Sequence, residues 1–547
     1  MRRYARAAAQ ARHGGPQIHT ASTPQDLRFR RFLRAAAASG LVAALALPLP
    51  ARAEQAPPVP TAQQCEAVRA HRSLAPILAR DPRPHAPRVF AMQFKQNVTN
   101  VVTYEAFRIK IECLIREDVV PYRAPRRPNV VSFNEDVGLA TLATGTRGEA
   151  ARKAFAEGSS PGCEGQPAPC GALAALGAIT AAYAPQIAAY RARFPVAAKP
   201  SEAFLGATDT LVRGFMGTFS LMAKRYKLYI LGSTDVAPFV QSSDPTDVAT
   251  FRDPDLPNTS SVYVATSPNI YNEVFMWGPK DVRSEGPDVL RNLVASNRKV
   301  PLVPLEEELG FSAGPVSGEE AIANLRPFKL PNTKAKLGFA TSLPAFVYGE
   351  PPAGTDPCSD VSKYYMRCLN KLGANVVVQD EANIGGRWTG PDGDGIEQWQ
   401  PLSWMASTDR AVSDPSVRFS YNVDAMMVGN LADLDSDGQS AITQRGGLPG
   451  PGCHYIGNRE FIPGEDETQF QQYAGDRTSF LALAPWVVPD ADRSSLREVG
   501  AQLAAGSHST LENDYLETAL VADLPIPADL NRTGCVTASP PPLVPAP

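Results

Sequence analysis

Short apolar runs closed by polar residues recur through the middle of the chain, and each has the length of a buried strand. RVFAMQFK (88–95), the run Val130 to Phe133, YKLYILGSTDV (226–236) and IYNEVFMWGPKDV (270–282) are four such runs, and the one from Val130 reads as a buried strand. Between the second and third, residues 144–225 change character. They hold a helix-like EAARKAFAEG, a Gly/Pro-rich loop with two cysteines (PGCEGQPAPCG) and two longer helical stretches. Further on, SLPAFVYGEPPAGTDPCSDVSKYYMRCLNKLGANVVVQDEAN sets Cys358 between a strand-like and a helix-like run. Strands alternating with helices predict an α/β fold.

The ends differ from this middle. Residues 1–53 hold nine Arg, one Asp and no Lys, then the apolar AAAASGLVAALALPLP and ARA before Glu54. A basic start, a short apolar stretch and a small-residue site read as a signal peptide cut after Ala53, so the chain is expected to be exported, periplasmic or extracellular. A Pro-rich lead-in covers 54–87. Beyond Thr443 the sequence turns Gly/Pro-rich and runs as a C-terminal extension, 444–547, to the tail SPPPLVPAP.

Charge narrows the partners. The whole chain is −3 and the leader +8, which leaves about −11 for the rest and makes nucleic acid an improbable partner. No segment beyond the leader is long and apolar enough to span a bilayer, because Pro185 interrupts 171–190 and Asp209 and Arg213 lie within 203–224. The eight cysteines are Cys65, Cys113, Cys163, Cys170, Cys358, Cys368, Cys453 and Cys535. Cys163 with Cys170, and Cys453 with Cys535, are the expected disulfides if Cys358 stays free. With no C-x-x-C pair, and only His71, His85, His454 and His508 after the leader, neither a metal nor another cofactor is expected.

The candidate chemistry starts from Cys358. A thiol at a helix N-terminus meets the positive end of the helix dipole and unpaired backbone N–H groups, which favour its thiolate and an oxyanion beside it. The run from Val130 ends in Glu135, placing a carboxylate at the end of a buried strand, where it suits a general base. SNRKVPLVPLEEELGF offers Lys299 and then Glu306, Glu307 and Glu308. Two lookalikes fit less well. GFSAG (310–314) has the nucleophile-elbow pattern, but an acidic EEEL precedes it and Pro315 follows it. DLDSDG (433–438) starts like a calcium loop but has Gln444 at the twelfth position, and reads as a polar turn between strands.

Taken in order, these segments resemble the nitrilase, or carbon-nitrogen hydrolase, superfamily, whose catalytic set is Glu, Lys and Cys in that chain order. The resemblance runs from about Arg88 to Ile442 and ends in the hairpin-like VRFSYNVDAMMVGNLADLDSDGQSAI. It implies an α-β-β-α sandwich over 88–443, with 144–225 as a helical insertion. It also implies catalysis by Glu135, Lys299 and Cys358, with Glu307 supporting Lys299, the Ser359 backbone N–H in the oxyanion hole, and Asp360 as the acidic residue two positions after the cysteine. The implied reaction is hydrolysis of a non-peptide amide through a cysteine thioester. Acyl transfer to an amine and nitrile hydrolysis share that chemistry. A secreted binding protein without turnover is the reading from another class. The expected partner is a small amide or nitrile; a homo-oligomer is compatible with the extension, which carries no clear signal for one.

Overall fold

The computed structural model describes residues 56–537 apart from 71, 82, 96, 157–169, 196–197, 383–400, 432–433, 447–478, 486–514, 531 and 533–535. The signal-peptide segment, Trp388, Trp399, Cys163, Cys453 and Cys535 lie outside the described residues, and with them both expected disulfide pairings.

The strands used below are β1 (Ile77–Ala79), β2 (Arg88–Lys95), β3 (Asn129–Ser132), β4 (Tyr229–Val236), β5 (Tyr271–Trp277), β6 (Leu293–Arg298) and β7 (Lys336–Thr341). They continue with β8 (Val376–Glu381), β9 (Tyr421–Leu431), β10 (Leu434–Asp437), β11 (Ala441–Gln444), β12 (Phe480–Leu483) and β13 (Leu516–Asp523). The helices are α1 (Tyr104–Leu114), α2 (Cys170–Ala182), α3 (Gly217–Tyr226), α4 (Pro304–Leu309), α5 (Val361–Lys371) and α6 (Pro401–Ser413). The main sheet runs β7-β8-β9-β2-β3-β4-β5-β6, parallel from β7 to β4 and antiparallel from β4 to β6.

Side-chain alternation along these strands builds the layers. In β2, Val89 and Ala91 face one way and Phe90, Met92 and Phe94 the other, the period of two that a strand imposes. The first set joins Val130, Leu231 and Met276 in one buried cluster with Leu337, Phe339, Val378 and Val423 from the far half of the sheet. That cluster is the interior of two sheet halves packed face to face. The second set packs outward on Ile111 and Leu114 of α1 and Phe219 and Met222 of α3. On the opposite outside, Ala340 and Val377 pack under Tyr365 and Leu369 of α5 and Ala411 of α6. The protein is therefore a mixed α/β structure in four layers, α-β-β-α.

The C-terminal residues enter the sheet. β13 pairs antiparallel with β2 from Thr518 opposite Gln93 to Asp523 opposite Arg88, and parallel with β1. Asp523, fully buried, takes Arg88 at 2.7 Å and Arg127 at 3.2 Å. β12 extends the β9–β11 hairpin at Ala441–Thr443. The DLDSDG segment lies here too: Asp435 and Asp437 sit in β10, paired antiparallel with β9, while Asp433 is outside the described residues. No single helix among the described residues is long and apolar enough to cross a membrane.

Candidate functional site

Glu135 reaches the site because the apolar ladder of β3 carries the chain up to it. Phe133 N–H still donates to Leu231 of β4, and Glu135 follows at 4% exposure. Lys299 comes directly after β6, held by its N–H on the carbonyl of Asn272 at 2.9 Å. Its ammonium donates to Glu135 Oε1 at 2.7 Å and to Glu306 Oε1 at 2.9 Å. Asn272 Nδ2 donates to the same two oxygens, each at 2.8 Å. Glu135 Oε2 takes the backbone N–H of Ala382, just past β8, at 3.0 Å.

All three charged groups are buried. Burial alone would lower the Lys299 pKa, but Glu135 and Glu306 raise it above its ordinary value, so this side chain stays an ammonium ion. A buried ion cluster recovers its desolvation cost only with good geometry, and such groupings are common at functional sites.

The acidic partner of Lys299 is Glu306, and this corrects the assignment of Glu307. Glu306 is the third residue of α4, and its second oxygen accepts the Val303 N–H at 2.8 Å, closing the helix start. That bond aims its other oxygen at Lys299. Glu307, one residue on, is turned by about 100° on the helix and is exposed.

Cys358 does not occupy the nucleophile position. It is disulfide-bonded to Cys368, so it carries no thiol that could become a thiolate. The excursion after β7 carries Cys358 away from the strand end, and it packs in the outer layer with Val361, Tyr365 and Leu369 beneath α5. Its neighbours leave the site with it. The Ser359 N–H is spent on the carbonyl of Asp356 at 2.9 Å and Ser359 is exposed, so it is no oxyanion donor. Asp360 precedes α5 and binds Lys363 and Ser362; although its partial burial works the other way, these bonds hold its carboxyl below the ordinary value.

The residue that does follow β7 is Ser342. Its backbone stands at φ 57°, ψ −121°, a conformation that non-glycine residues rarely adopt, and the 3-10 helix Leu343–Phe346 starts immediately after it. A sharp strand-to-helix turn of this kind presents a nucleophile in other hydrolases. Ser342 N–H donates to the carbonyl of Asp380 at 3.0 Å, and Ala345 N–H to the carbonyl of Ser342 at 2.9 Å. The end of β8 thus holds both parts of the site, Ser342 through Asp380 and Glu135 through Ala382. Among the described residues the Ser342 hydroxyl has no hydrogen-bond partner. In the sequence Ser342 is marked by the run LGFAT, which ends at the serine.

Buried carboxyls surround this centre. Asp380 is pushed up to about 7 by burial and then by the charge of Glu135, against hydrogen bonds from Thr341 and Ser233. Asp235, Glu381 and Asp424 are raised well above their ordinary values, in each case chiefly by burial. Among the described residues no group of three or more His, Cys, Asp or Glu is placed to hold a metal ion. Trp277 is core, with its indole N–H on the carbonyl of Val289 at 2.8 Å, and Trp404 packs edge-on against Phe346. Ser312 of GFSAG follows α4, not a strand, and its N–H donates to the carbonyl of Ile270.

No family model and no curated protein matches the sequence. Among solved structures, the chain is similar to an amidase of the nitrilase superfamily from Nesterenkonia AN1 at 11% identity, over 67% of this chain and 86% of that one, with a TM-score of 0.32. It is similar to a carbon-nitrogen hydrolase from Helicobacter pylori G27 at 9% identity, over 66% and 82%, with a TM-score of 0.34. Both belong to the group the sequence resembles. At this degree of likeness, the functional reading rests on the chain's own residues.

Proposed function

We propose that the protein hydrolyses a non-peptide amide, with Ser342 as nucleophile in place of the expected cysteine. The observation that carries this reading is the backbone of Ser342, held in a rare conformation at a strand end that is tied to the Lys299–Glu135 pair. In the proposed reaction Ser342 Oγ bonds to the amide carbon as its proton passes to Glu135. Negative charge on the carbonyl oxygen is met by the Lys299 ammonium and by the N–H of Leu343, which as first residue of its helix has no acceptor within that helix. The carbon–nitrogen bond breaks with the proton from Glu135 going to the leaving amine. Water, deprotonated by Glu135, then attacks the acyl-serine ester, and as the carbon–Oγ bond breaks the proton passes from Glu135 to Ser342 Oγ, releasing the carboxylic acid. Glu306 and Asn272 hold Lys299 and Glu135 in place throughout. Passing the acyl group to an amine would use the same residues.

The reading includes export. The disulfides Cys65–Cys113 and Cys358–Cys368 are compatible with an oxidising compartment. A second reading, binding without turnover, is favoured by the occupancy of Glu135, whose oxygens already accept from Lys299, Asn272 and Ala382. Ammonia release from a panel of primary amides decides between them. Turnover by the wild type that Ser342→Ala and Glu135→Gln abolish supports hydrolysis; amide binding without ammonia release supports the second reading.

A further inference from the structure

The two segments that carry the site's carboxyls also build a second feature. Just after Glu135, Leu139 and Leu142 turn into a cavity of about 100 Å³, and Leu305 and Leu309 enter it from either side of Glu306 in α4. Helix α2 closes the far wall with Leu173 and Leu176. Every side chain lining it is Ala, Leu, Ile or Phe. Leu173, at 51%, and Leu305, at 36%, remain exposed at the rim, so the cavity has a solvent-facing edge.

We infer that this cavity takes the aliphatic acyl chain of the substrate, an assignment that rests on the amide-hydrolase reading. The size argues for a chain of methylenes, since apolar cavities of this order take single small hydrocarbon molecules and cannot seat the face of a protein helix. An apolar lining without a polar anchor cannot fix a polar headgroup, and the lining segments lead along the chain to hydrogen-bonding groups of the site, Glu135 four residues before Leu139 and Glu306 beside Leu305. The division of labour is therefore carbonyl at the strand ends and alkyl chain between α2, α4 and the segment after Glu135. α2 belongs to the helical stretch between Glu135 and Lys299, so that stretch acquires a role in substrate selection.

The test is binding of acetamide, butanamide, hexanamide and decanamide to the full chain carrying Ser342→Ala, measured by calorimetry, so that turnover does not enter. Affinity is expected to rise by roughly fourfold per added methylene until the cavity is full and then to level off. Leu173→Glu, at an exposed position, places a charge on the rim, and Leu176→Trp fills the interior. Each is expected to weaken hexanamide at least tenfold and to leave acetamide unchanged, and either variant suffices if the other fails to fold. Affinity independent of chain length, chain-length dependence untouched by the folded variants, or no binding by any amide overturns the inference. Chain-length-dependent binding that these variants remove, in a wild type that releases no ammonia, refutes hydrolysis and leaves the chain site standing.

Discussion

Lys299 Nζ lies 2.7 Å from Glu135 Oε1, although 164 positions separate the two residues. The contact exists because β3 and β6 end at the same side of one sheet, with Asn272 of β5 donating to both acceptors of the lysine. Lys299→Met should remove activity and cost about 3–5 kcal/mol, because Glu135 and Glu306 are then buried without their counter-charge. Chemical unfolding of wild type and variant measures the loss.

The same geometry separates two adjacent glutamates. Glu306→Ala leaves Lys299 with one carboxylate and the Val303 N–H without its acceptor, and is expected to destabilise by about 2–4 kcal/mol. Glu307→Ala, exposed, should stay within about 0.5 kcal/mol of wild type. Thermal unfolding of the pair provides the comparison.

Breaking the Cys358–Cys368 bridge should separate stability from chemistry. With the bridge closing a span of 10 positions, replacing both cysteines by serine is expected to cost about 3 kcal/mol through the freed unfolded chain. Turnover should be unchanged, as measured by amide hydrolysis below the variant's melting temperature.

Acidity should act through Asp380. Its ordinary pKa is 3.8 and its folded value about 7, so between these values the folded chain binds a proton that the unfolded chain has released. Stability is therefore expected to fall as pH rises from about 4 to about 7, by up to about 4 kcal/mol from this group. Asp118, also raised to about 7 chiefly by burial, adds to the same trend. Asp380→Asn should make the fall shallower without abolishing it, because Asp118 still contributes, read as the melting temperature across that pH range.

The C-terminal strand yields a further expectation. A chain ended at Thr443 lacks β12 and β13, exposing the edge of β2 and leaving Arg88 and Arg127 without Asp523. It should be insoluble on expression, whereas Asp523→Ala in the full chain should remain soluble and lose about 3–5 kcal/mol. Sedimentation of lysates and unfolding curves test the two statements.

Part of the site is legible from periodicity. An apolar run that stops at a carboxylate marks Glu135, because that signal is local, whereas Lys299, in the polar run SNRK, stands out only through the family resemblance. Choosing Glu306 over Glu307 requires the helix start, since in three consecutive glutamates only the one three positions after Val303 can close it. The proposed nucleophile, Ser342, is found only from the strand end: β7 stops at Thr341, and Cys358 belongs to the helix layer that follows. β13 stayed hidden because its partner β2 lies more than 400 positions away, and nothing local in LETALVAD marks that pairing.

The most direct test of the central claim is active-site labelling of the folded full-length protein with an alkyl fluorophosphonate, followed by peptide mass mapping. The account predicts the phosphonyl adduct on Ser342, its loss in Ser342→Ala, and its slowing in Glu135→Gln. An unlabelled Ser342 in a protein that still releases ammonia from amides, or ammonia release that persists in Ser342→Ala, would contradict it.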